Sequence, residues 1–202
     1  MTVQAGYALQ LADALAYLHD RRILFRDLKP SNVGFRTQDP NTVQLFDFGL
    51  CRELPATQEN YEDDDQTSFL MSGAGTYLYM APEISTAKRY NLKADVYSWA
   101  FLFHEMIALQ RPFAGFTFDE HKEFVCEIGQ RPSLTDYNIP LNLQMLLRQA
   151  WEQDPTERLT MRQVCHQLKA IVDEPQSSSE AAPAGGIGSN FDGQSSPSQE
   201  VA

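Results

Sequence analysis

Apolar residues recur at steps of three and four along residues 2–19, where Tyr7, Leu11, Ala14, Leu15 and Leu18 share this spacing. Residues spaced in this way lie on one face of an α-helix, and they leave water when that face packs inward. The pattern predicts that the chain opens with a helix whose apolar face points towards a core.

Two short apolar runs follow at residues 32–35 and 42–46, and the tetrapeptide Gln38-Asp39-Pro40-Asn41 separates them. Short apolar runs on either side of turn-favouring residues indicate a β-hairpin, so we predict the turn at this tetrapeptide. Residues 53–72 are polar, contain an acidic run at 62–65 and show no sustained period. We interpret them as a mobile loop.

Residues 93–109 are apolar on nearly every side of a helix, which predicts a buried central helix. A membrane-spanning helix needs about 20 mainly apolar residues, whereas Asp95, His104 and Glu105 interrupt this shorter segment. We therefore expect no membrane span. Two later segments also have helical spacing, formed by Leu143, Leu146, Leu147, Ala150 and Trp151, and by Met161, Val164, Leu168 and Ile171.

The chain has 202 residues, of which 43% are hydrophobic, and this is enough for one cored domain but short for two. We predict a mainly α fold with a short β-hairpin over residues 1–172. Residues 173–202 are rich in Ser, Gly, Pro and Ala, with too few large apolar groups to offset the entropy lost on ordering. We predict a disordered tail there.

An excess of Asp and Glu gives a formal net charge of −11. This negative charge repels nucleic acid and anionic lipid, so we expect neither as a partner. The three cysteines are far apart and show no Cys-x-x-Cys spacing, which disfavours a disulfide framework and a zinc site. No secretory signal is evident. We expect an intracellular, cytoplasmic protein, and the oligomeric state stays open.

Three segments carry residues that suit phosphoryl transfer, which needs a carboxylate beside the attacking hydroxyl and oxygen ligands for magnesium. In chain order they are Arg26-Asp27-Leu28-Lys29-Pro30-Ser31-Asn32, Asp47-Phe48-Gly49 and Gly75-Thr76-Tyr77-Leu78-Tyr79-Met80-Ala81-Pro82-Glu83. Together they resemble the catalytic loop, the magnesium-binding motif and the end of the activation segment of eukaryotic protein kinases. The resemblance runs from about residue 7 to about residue 172 and implies the C-terminal lobe of the kinase domain.

The resemblance implies a serine/threonine kinase that uses ATP and Mg²⁺ and transfers the γ-phosphate to a protein Ser or Thr hydroxyl. Asp27 would orient that hydroxyl and accept its proton, Lys29 would contact the transferred phosphate and bind the nucleotide, and Asn32 and Asp47 would hold magnesium. Lys29 together with Thr76 resembles the serine/threonine pattern.

Three further residues match structural positions of the family. Asp95 resembles the aspartate that supports the catalytic-loop backbone, and Arg158 resembles the arginine that pairs with the glutamate of the third motif, Glu83. A tryptophan at position 151 most resembles the pattern of the tyrosine-kinase-like group of serine/threonine kinases, although Trp151 suits an ordinary core position equally well.

The activation segment, residues 47–83, is the expected place of regulation. Arg26 resembles arginines that pair with a phosphate on this segment. Ser72, four residues before Thr76, is then the preferred phosphate acceptor, and Thr67 and Ser68 are weaker candidates. The alternative is that these are solvated loop hydroxyls without a regulatory role.

Two departures from the family pattern stand out. Phe25 occupies the position where most of the family has histidine, and it can pack against Phe48 as well as an imidazole would. Upstream of Asp27 the chain has only the predicted opening helix, so we expect the β-rich N-terminal lobe to be absent from these residues. Without its glycine-rich loop and strand lysine, the chain alone should be inactive.

Three interpretations follow from this expectation. The chain is an incomplete copy of an active serine/threonine kinase, a truncated kinase lobe that acts as a non-catalytic protein-binding module, or a non-functional remnant of a gene. The intact Asp27, Asn32 and Asp47 favour the first of these.

Overall fold

A computed structural model of the chain describes residues 2–55 and 67–173. The acidic run at 62–65 and, beyond residue 173, the predicted tail lie outside these residues. The helices are α1 Thr2–His19, α2 Pro82–Ser85, α3 Lys93–Ala108, α4 Phe118–Glu120, α5 Leu141–Ala150 and α6 Met161–Asp173. The strands are β1 Ile23–Leu24, β2 Val33–Arg36, β3 Asp39–Leu45 and β4 Arg52–Glu53.

Helices dominate the described residues, and the strands form two antiparallel sheets of two strands each. This architecture confirms the predicted mainly α fold with a short hairpin. The central helix α3 contacts α1 and α5, while α6 packs against both α1 and α5.

Helix α1 has the bounds that the apolar spacing predicts. Leu11 and Leu15 are buried, and Ala5, Ala8 and Ala12 extend the same buried stripe. Small residues in this stripe allow close approach of the neighbouring helix, and the indole Nε1 of Trp99 donates a hydrogen bond to the Ala8 carbonyl at 2.9 Å. Helix α1 is therefore fixed directly to the centre of the fold.

Helix α3 is buried from Lys93 to His104 without a solvent-facing side, as its sequence predicts. It ends where Leu109 adopts the left-handed conformation with φ of 51°, a common way to terminate a helix. Across the described segments of the chain, no helix is long and apolar enough to cross a membrane.

The predicted hairpin is formed by β2 and β3, but the predicted turn is wrong. The turn is residues 37–38, and Asp39-Pro40-Asn41 belongs to β3. A register irregularity after Phe35 pairs Arg36 with Asp39 and shortens the turn. Gln10 on α1 fixes the hairpin, because its side chain accepts from the Val43 N–H at 2.9 Å and donates to the Asn41 carbonyl at 2.9 Å.

Among the short elements that the sequence pattern did not predict, which include α2, two features stand out. One is the pairing of β1 with β4, which brings residues 23–24 beside residues 52–53. The other is α4, which continues as a π-helix over His121–Glu127. A capping box formed by Thr117 and Glu120 begins α4, and this Thr-x-x-Glu spacing is a signal that could have revealed the helix from sequence.

Candidate active site

The backbone of the loop that carries Asp27 is held by the carboxylate of Asp95 on the buried helix α3. This carboxylate accepts hydrogen bonds from the backbone N–H groups of Phe25 at 2.7 Å and Arg26 at 2.8 Å. His19, at the end of α1, contacts the same carboxylate through Nε2 at 3.0 Å. Arg26 adopts a positive φ of 72°, so these contacts hold a backbone conformation that is costly for a non-glycine residue.

Three residues singled out in the sequence converge on the Asp27 carboxylate. Lys29 Nζ lies 2.6 Å from Oδ2, and the Asn32 side-chain amide donates to the same oxygen at 3.1 Å. The Thr76 hydroxyl donates to Oδ1 at 2.8 Å and accepts from Lys29 at 3.0 Å. The structure therefore brings the first and third sequence motifs into direct contact.

Asp27 is almost fully buried, with 6% of its surface exposed. Burial alone would raise its pKa, but hydrogen bonds from Lys29, Thr76 and Asn32 and the charge of Lys29 lower the pKa below its ordinary value. The group is therefore a carboxylate at neutral pH, which is the state that can accept a proton.

Asn32 and Asp47 lie at the open end of the hairpin. The Phe46 N–H donates to the Asn32 carbonyl at 2.8 Å, so β2 and β3 place Asp47 one residue beyond this cross-strand pair. Asp47 is exposed and left-handed, with φ of 59°, and one of its carboxylate oxygens accepts from the Gly49 N–H at 3.2 Å. Its other oxygen has no hydrogen-bond partner within the described residues.

The donor atoms of Asn32 and Asp47 suit magnesium. Because the Asn32 amide nitrogen is bound to Asp27, its side-chain oxygen is the atom left for a cation. One amide oxygen and one carboxylate are hard ligands, and Mg²⁺ usually takes few protein ligands and completes its shell with phosphates and water. In the described part of the chain, no cluster of three or more His, Cys, Asp or Glu side chains offers a complete protein cage.

Phe25 packs against Phe48 of the second motif, with ring centroids 5.5 Å apart in an edge-to-face arrangement. This is the apolar contact that the sequence predicts for the residue replacing histidine. Beside these rings, burial and then the nearby Asp95 charge raise the pKa of Cys51 to about 11. Cys51 is consequently a protonated thiol and not a nucleophile.

Arg26 and Ser72 are linked through Tyr90, a residue that the sequence pattern did not single out. The Arg26 guanidinium donates to the Leu50 carbonyl at 2.5 Å and to the Tyr90 hydroxyl at 3.4 Å. Tyr90 in turn donates to the Ser72 carbonyl at 2.8 Å. Ser72 is exposed, and within the described residues Arg26 has no ion pair.

Glu83 and Arg158 form a bidentate ion pair, with nitrogen–oxygen distances of 2.7 and 3.1 Å. Arg158 also donates to the Lys93 carbonyl at 2.9 Å, so it ties α2 to the start of α3. Both side chains are buried, with 4% of Glu83 and 1% of Arg158 exposed. The pair anchors the end of the activation segment to the helical core.

Gly75 is the tightest point between the first and third motifs. Its φ is +123°, and a Cβ atom at this position would lie 2.5 Å from the Arg26 carbonyl oxygen. Glycine is the residue type that accommodates both this backbone conformation and such a close approach, because it has no Cβ atom. The glycine therefore permits Thr76 to reach Asp27.

A cavity of about 270 Å³ lies beside these residues. Lys29, Pro30, Ser31 and Thr76 line one part of it, and Leu78, Tyr79 and Arg111 line the rest. Arg111 follows α3 and is far from the three motifs in sequence, so no local pattern indicated its position here.

Comparison with known proteins points to one family. The sequence profile of the protein kinase domain matches residues 2–168. The chain is 31% identical over 175 residues to serine/threonine-protein kinase VIK of Arabidopsis thaliana, covering 85% of the chain and 38% of that protein. It is 32% identical over 168 residues to serine/threonine-protein kinase STY46 of the same organism, covering 83% and 27%.

A third relative is the probable serine/threonine-protein kinase gdt4 of Dictyostelium discoideum. The chain is 33% identical to it over 169 residues, which cover 82% of the chain and 10% of the relative. The chain thus spans between 10% and 38% of the length of these three relatives.

Proposed function

Because the chain belongs to the protein kinase family, we propose that its residues form the phosphate-acceptor side of a serine/threonine kinase site. The relatives are named as serine/threonine kinases, which supports this choice of acceptor, and so does the hydrogen bond of Thr76 to Asp27. The single observation that carries the proposal is the convergence of Lys29, Asn32 and Thr76 on the Asp27 carboxylate.

In this proposal Asp27 positions the substrate hydroxyl and accepts its proton as the phosphate is transferred. Its two oxygens are not equivalent. Oδ2 contacts both Lys29 and Asn32, whereas among the described residues Oδ1 accepts a hydrogen bond only from the Thr76 hydroxyl. A carboxylate oxygen has two lone pairs, so Oδ1 has one left for the substrate hydroxyl.

Lys29 would contact the transferred phosphate. The position of its ammonium group, which bridges Asp27 and Thr76 at the edge of the cavity, supports this role. Asn32 and Asp47 would hold Mg²⁺ with ATP, and bound magnesium would neutralise phosphate charge. The substrate is a protein with a Ser or Thr hydroxyl.

We further propose that Ser72 is a regulatory phosphorylation site and that Arg26 pairs with its phosphate. The absence of an ion pair at Arg26 among the described residues, and its link to Ser72 through Tyr90, support this assignment. A phosphate on Ser72 would offer charge-assisted acceptors to a guanidinium that already lies in this part of the site.

The test measures transfer of radioactive phosphate from ATP to separate Ser, Thr and Tyr peptides by the longest natural polypeptide that contains these residues. Asp27→Asn should lower the transfer rate by about 10²- to 10⁴-fold, the usual contribution of a general base. Asp20→Asn is the matched control, because Asp20 forms only an exposed ion pair with Arg162.

Transfer that persists in Asp27→Asn would contradict the assigned role of Asp27. Phosphorylation of tyrosine alone would contradict the serine/threonine assignment. A wild-type polypeptide that folds and binds protein but transfers no phosphate would instead favour the non-catalytic binding module.

A further inference from the structure

The cavity of about 270 Å³ adjoins the Asp27 carboxylate, although Asp27 itself is not one of its lining residues. Lys29 and Thr76, which contact the Asp27 carboxylate, are lining residues of this cavity. The cavity also has apolar walls formed by Pro30 and Leu78. Its charged groups therefore face the residues that flank the substrate hydroxyl.

Lys29 and Arg111 are the charged residues among those that line the cavity. Lys29 is already paired with Asp27 at 2.6 Å. Arg111 is exposed and forms no ion pair within residues 2–55 and 67–173. The positive charge of Arg111 is consequently available to a group that enters from solvent.

Glu105, an acidic side chain that, like Arg111, acts on Tyr79, is occupied by a different donor. The Tyr79 hydroxyl donates to the Glu105 carboxylate, and burial together with this carboxylate raises the pKa of Tyr79, so the hydroxyl stays neutral. Arg111 lies close enough to the same hydroxyl to act on its pKa in the lowering direction. A guanidinium has five N–H donors in a planar fork, so one hydroxyl leaves most of its donors free.

Arg111 also lines a second cavity, of about 330 Å³, together with Phe113 and Tyr137. The acidic residue of that cavity, Asp136, contacts Thr135 and forms no described ion pair with Arg111. Arg111 therefore lies at the boundary between two cavities. A peptide that extends from the first cavity towards the second must pass its guanidinium.

We propose that Arg111 selects substrate segments that carry an anionic side chain near the Ser or Thr hydroxyl. The inference rests on the proposed kinase function. The ligand chemistry is a planar or tetrahedral oxyanion, which a guanidinium binds with paired hydrogen bonds. A carboxylate of Asp or Glu and the phosphate of an already phosphorylated residue both supply it.

The test measures peptide binding, which does not require phosphate transfer. Short Ala-Gly peptides with one central Ser carry Glu, Gln, Lys or phosphoserine at each flanking position in turn, and each is titrated into the ¹⁵N-labelled chain. The amide signals of Thr76 and Leu78 report occupation of the cavity, and the side-chain Nε signal of Arg111 reports direct contact. At one position, Glu should bind about three- to tenfold more tightly than Gln, and Lys more weakly.

Variants assign the preference to Arg111. Arg111→Glu should reverse it, so that the Lys peptide binds more tightly than the Glu peptide. Arg111→Lys should keep part of it, because an ammonium group retains the charge but lacks the planar fork. Arg148→Glu makes the same charge change at an exposed residue of α5 that lines neither cavity, and it should keep the wild-type preference.

Three results would overturn the inference: equal affinity for Glu, Gln and Lys peptides at every position, the same preference in Arg111→Glu as in Arg148→Glu, or no peptide that shifts the Thr76 signal. Tighter binding of phosphoserine than of Glu would support the inference and identify phosphorylated substrates as its source. A preference for Glu in the titrated chain, together with no phosphate transfer by the longest natural polypeptide, would refute the kinase function and leave the recognition by Arg111 intact.

Discussion

At the scale of single residues, the ion pair of Glu83 and Arg158 illustrates how burial changes the contribution of a charge. Arg158 is 1% exposed and its guanidinium is bound to both oxygens of Glu83. Arg162 forms a similar pair with Asp20 at 2.8 Å, but its side chain is 75% exposed. The chain therefore contains a matched comparison between a buried and a solvated arginine.

Replacing Arg158 by Met should lower the free energy of unfolding by about 3–5 kcal/mol, because it leaves the Glu83 carboxylate buried without a partner. Arg162→Met should cost less than about 1 kcal/mol, since water replaces the lost contact. Denaturant unfolding of the chain with each substitution measures both values. Equal losses in the two variants would show that the buried pair has no special structural role.

Residue types and their order were sufficient to identify Asp27, Lys29, Asn32 and Asp47 as candidates, because the chemistry of phosphoryl transfer restricts which groups can serve. Arg111 could not be identified in this way. It is an ordinary arginine in sequence, and only the path of the chain after α3 brings it to the cavity.

At the scale of elements, the activation segment packs against the catalytic loop through Gly75. Gly75→Ala should destabilise the chain by about 1–3 kcal/mol, because alanine is strained at a positive φ and its Cβ would lie 2.5 Å from the Arg26 carbonyl. Loss of protection from hydrogen exchange should be greatest in residues 67–80. Denaturant unfolding and exchange measured by mass spectrometry check the two effects.

Gly6→Ala is the control for this prediction. Gly6 lies within α1 and nothing approaches its Cβ position within 4 Å, so alanine should stabilise the chain by up to about 1 kcal/mol through helix propensity. If Gly75→Ala behaves like Gly6→Ala, the close approach to the catalytic loop is not a constraint on the fold.

Periodic spacing predicted the long elements well and the short ones poorly. Helices α1, α3, α5 and α6 each repeat an apolar step several times, so the signal accumulates. Strands β1 and β4 have two residues each, too few for a period. The hairpin turn was misplaced because the register irregularity after Phe35 depends on the partner strand and not on local composition.

At the scale of the whole molecule, the surface around the hairpin that bears Asn32 and Asp47 carries exposed aromatic residues. Phe35, Phe46 and Phe48 are 53%, 47% and 52% exposed, and all three lie on or next to the hairpin that bears Asn32 and Asp47. Large apolar groups exposed close together favour association with another surface.

The 202-residue chain by itself should transfer no measurable phosphate from ATP to a generic protein substrate. Its sequence contains no Gly-x-Gly-x-x-Gly motif to cover the phosphates, and the described residues offer the nucleotide only the side formed by Lys29, Asn32 and Asp47. A radioactive transfer assay with wild type and Asp27→Asn should give the same background signal. Robust transfer that Asp27→Asn abolishes would refute this prediction.

The sequence by itself determined the long helices and the mainly α class, and it supplied the candidate residues for phosphoryl transfer. The helices follow from local periodicity, and the candidate residues follow from residue types in a fixed order. Both can be read directly from the sequence. The tertiary structure decided what those residues contact. Asp95 reaches the backbone of Arg26 across 69 residues, and Thr76 reaches Asp27 across 49.

The tertiary structure alone placed Arg111 beside Lys29 and linked Arg26 to Ser72 through Tyr90. Such contacts join residues that are distant in sequence, and their geometry follows from how α3, the activation segment and the catalytic loop pack around one core. A local sequence pattern does not predict such contacts, because the packing energy depends on all the elements together.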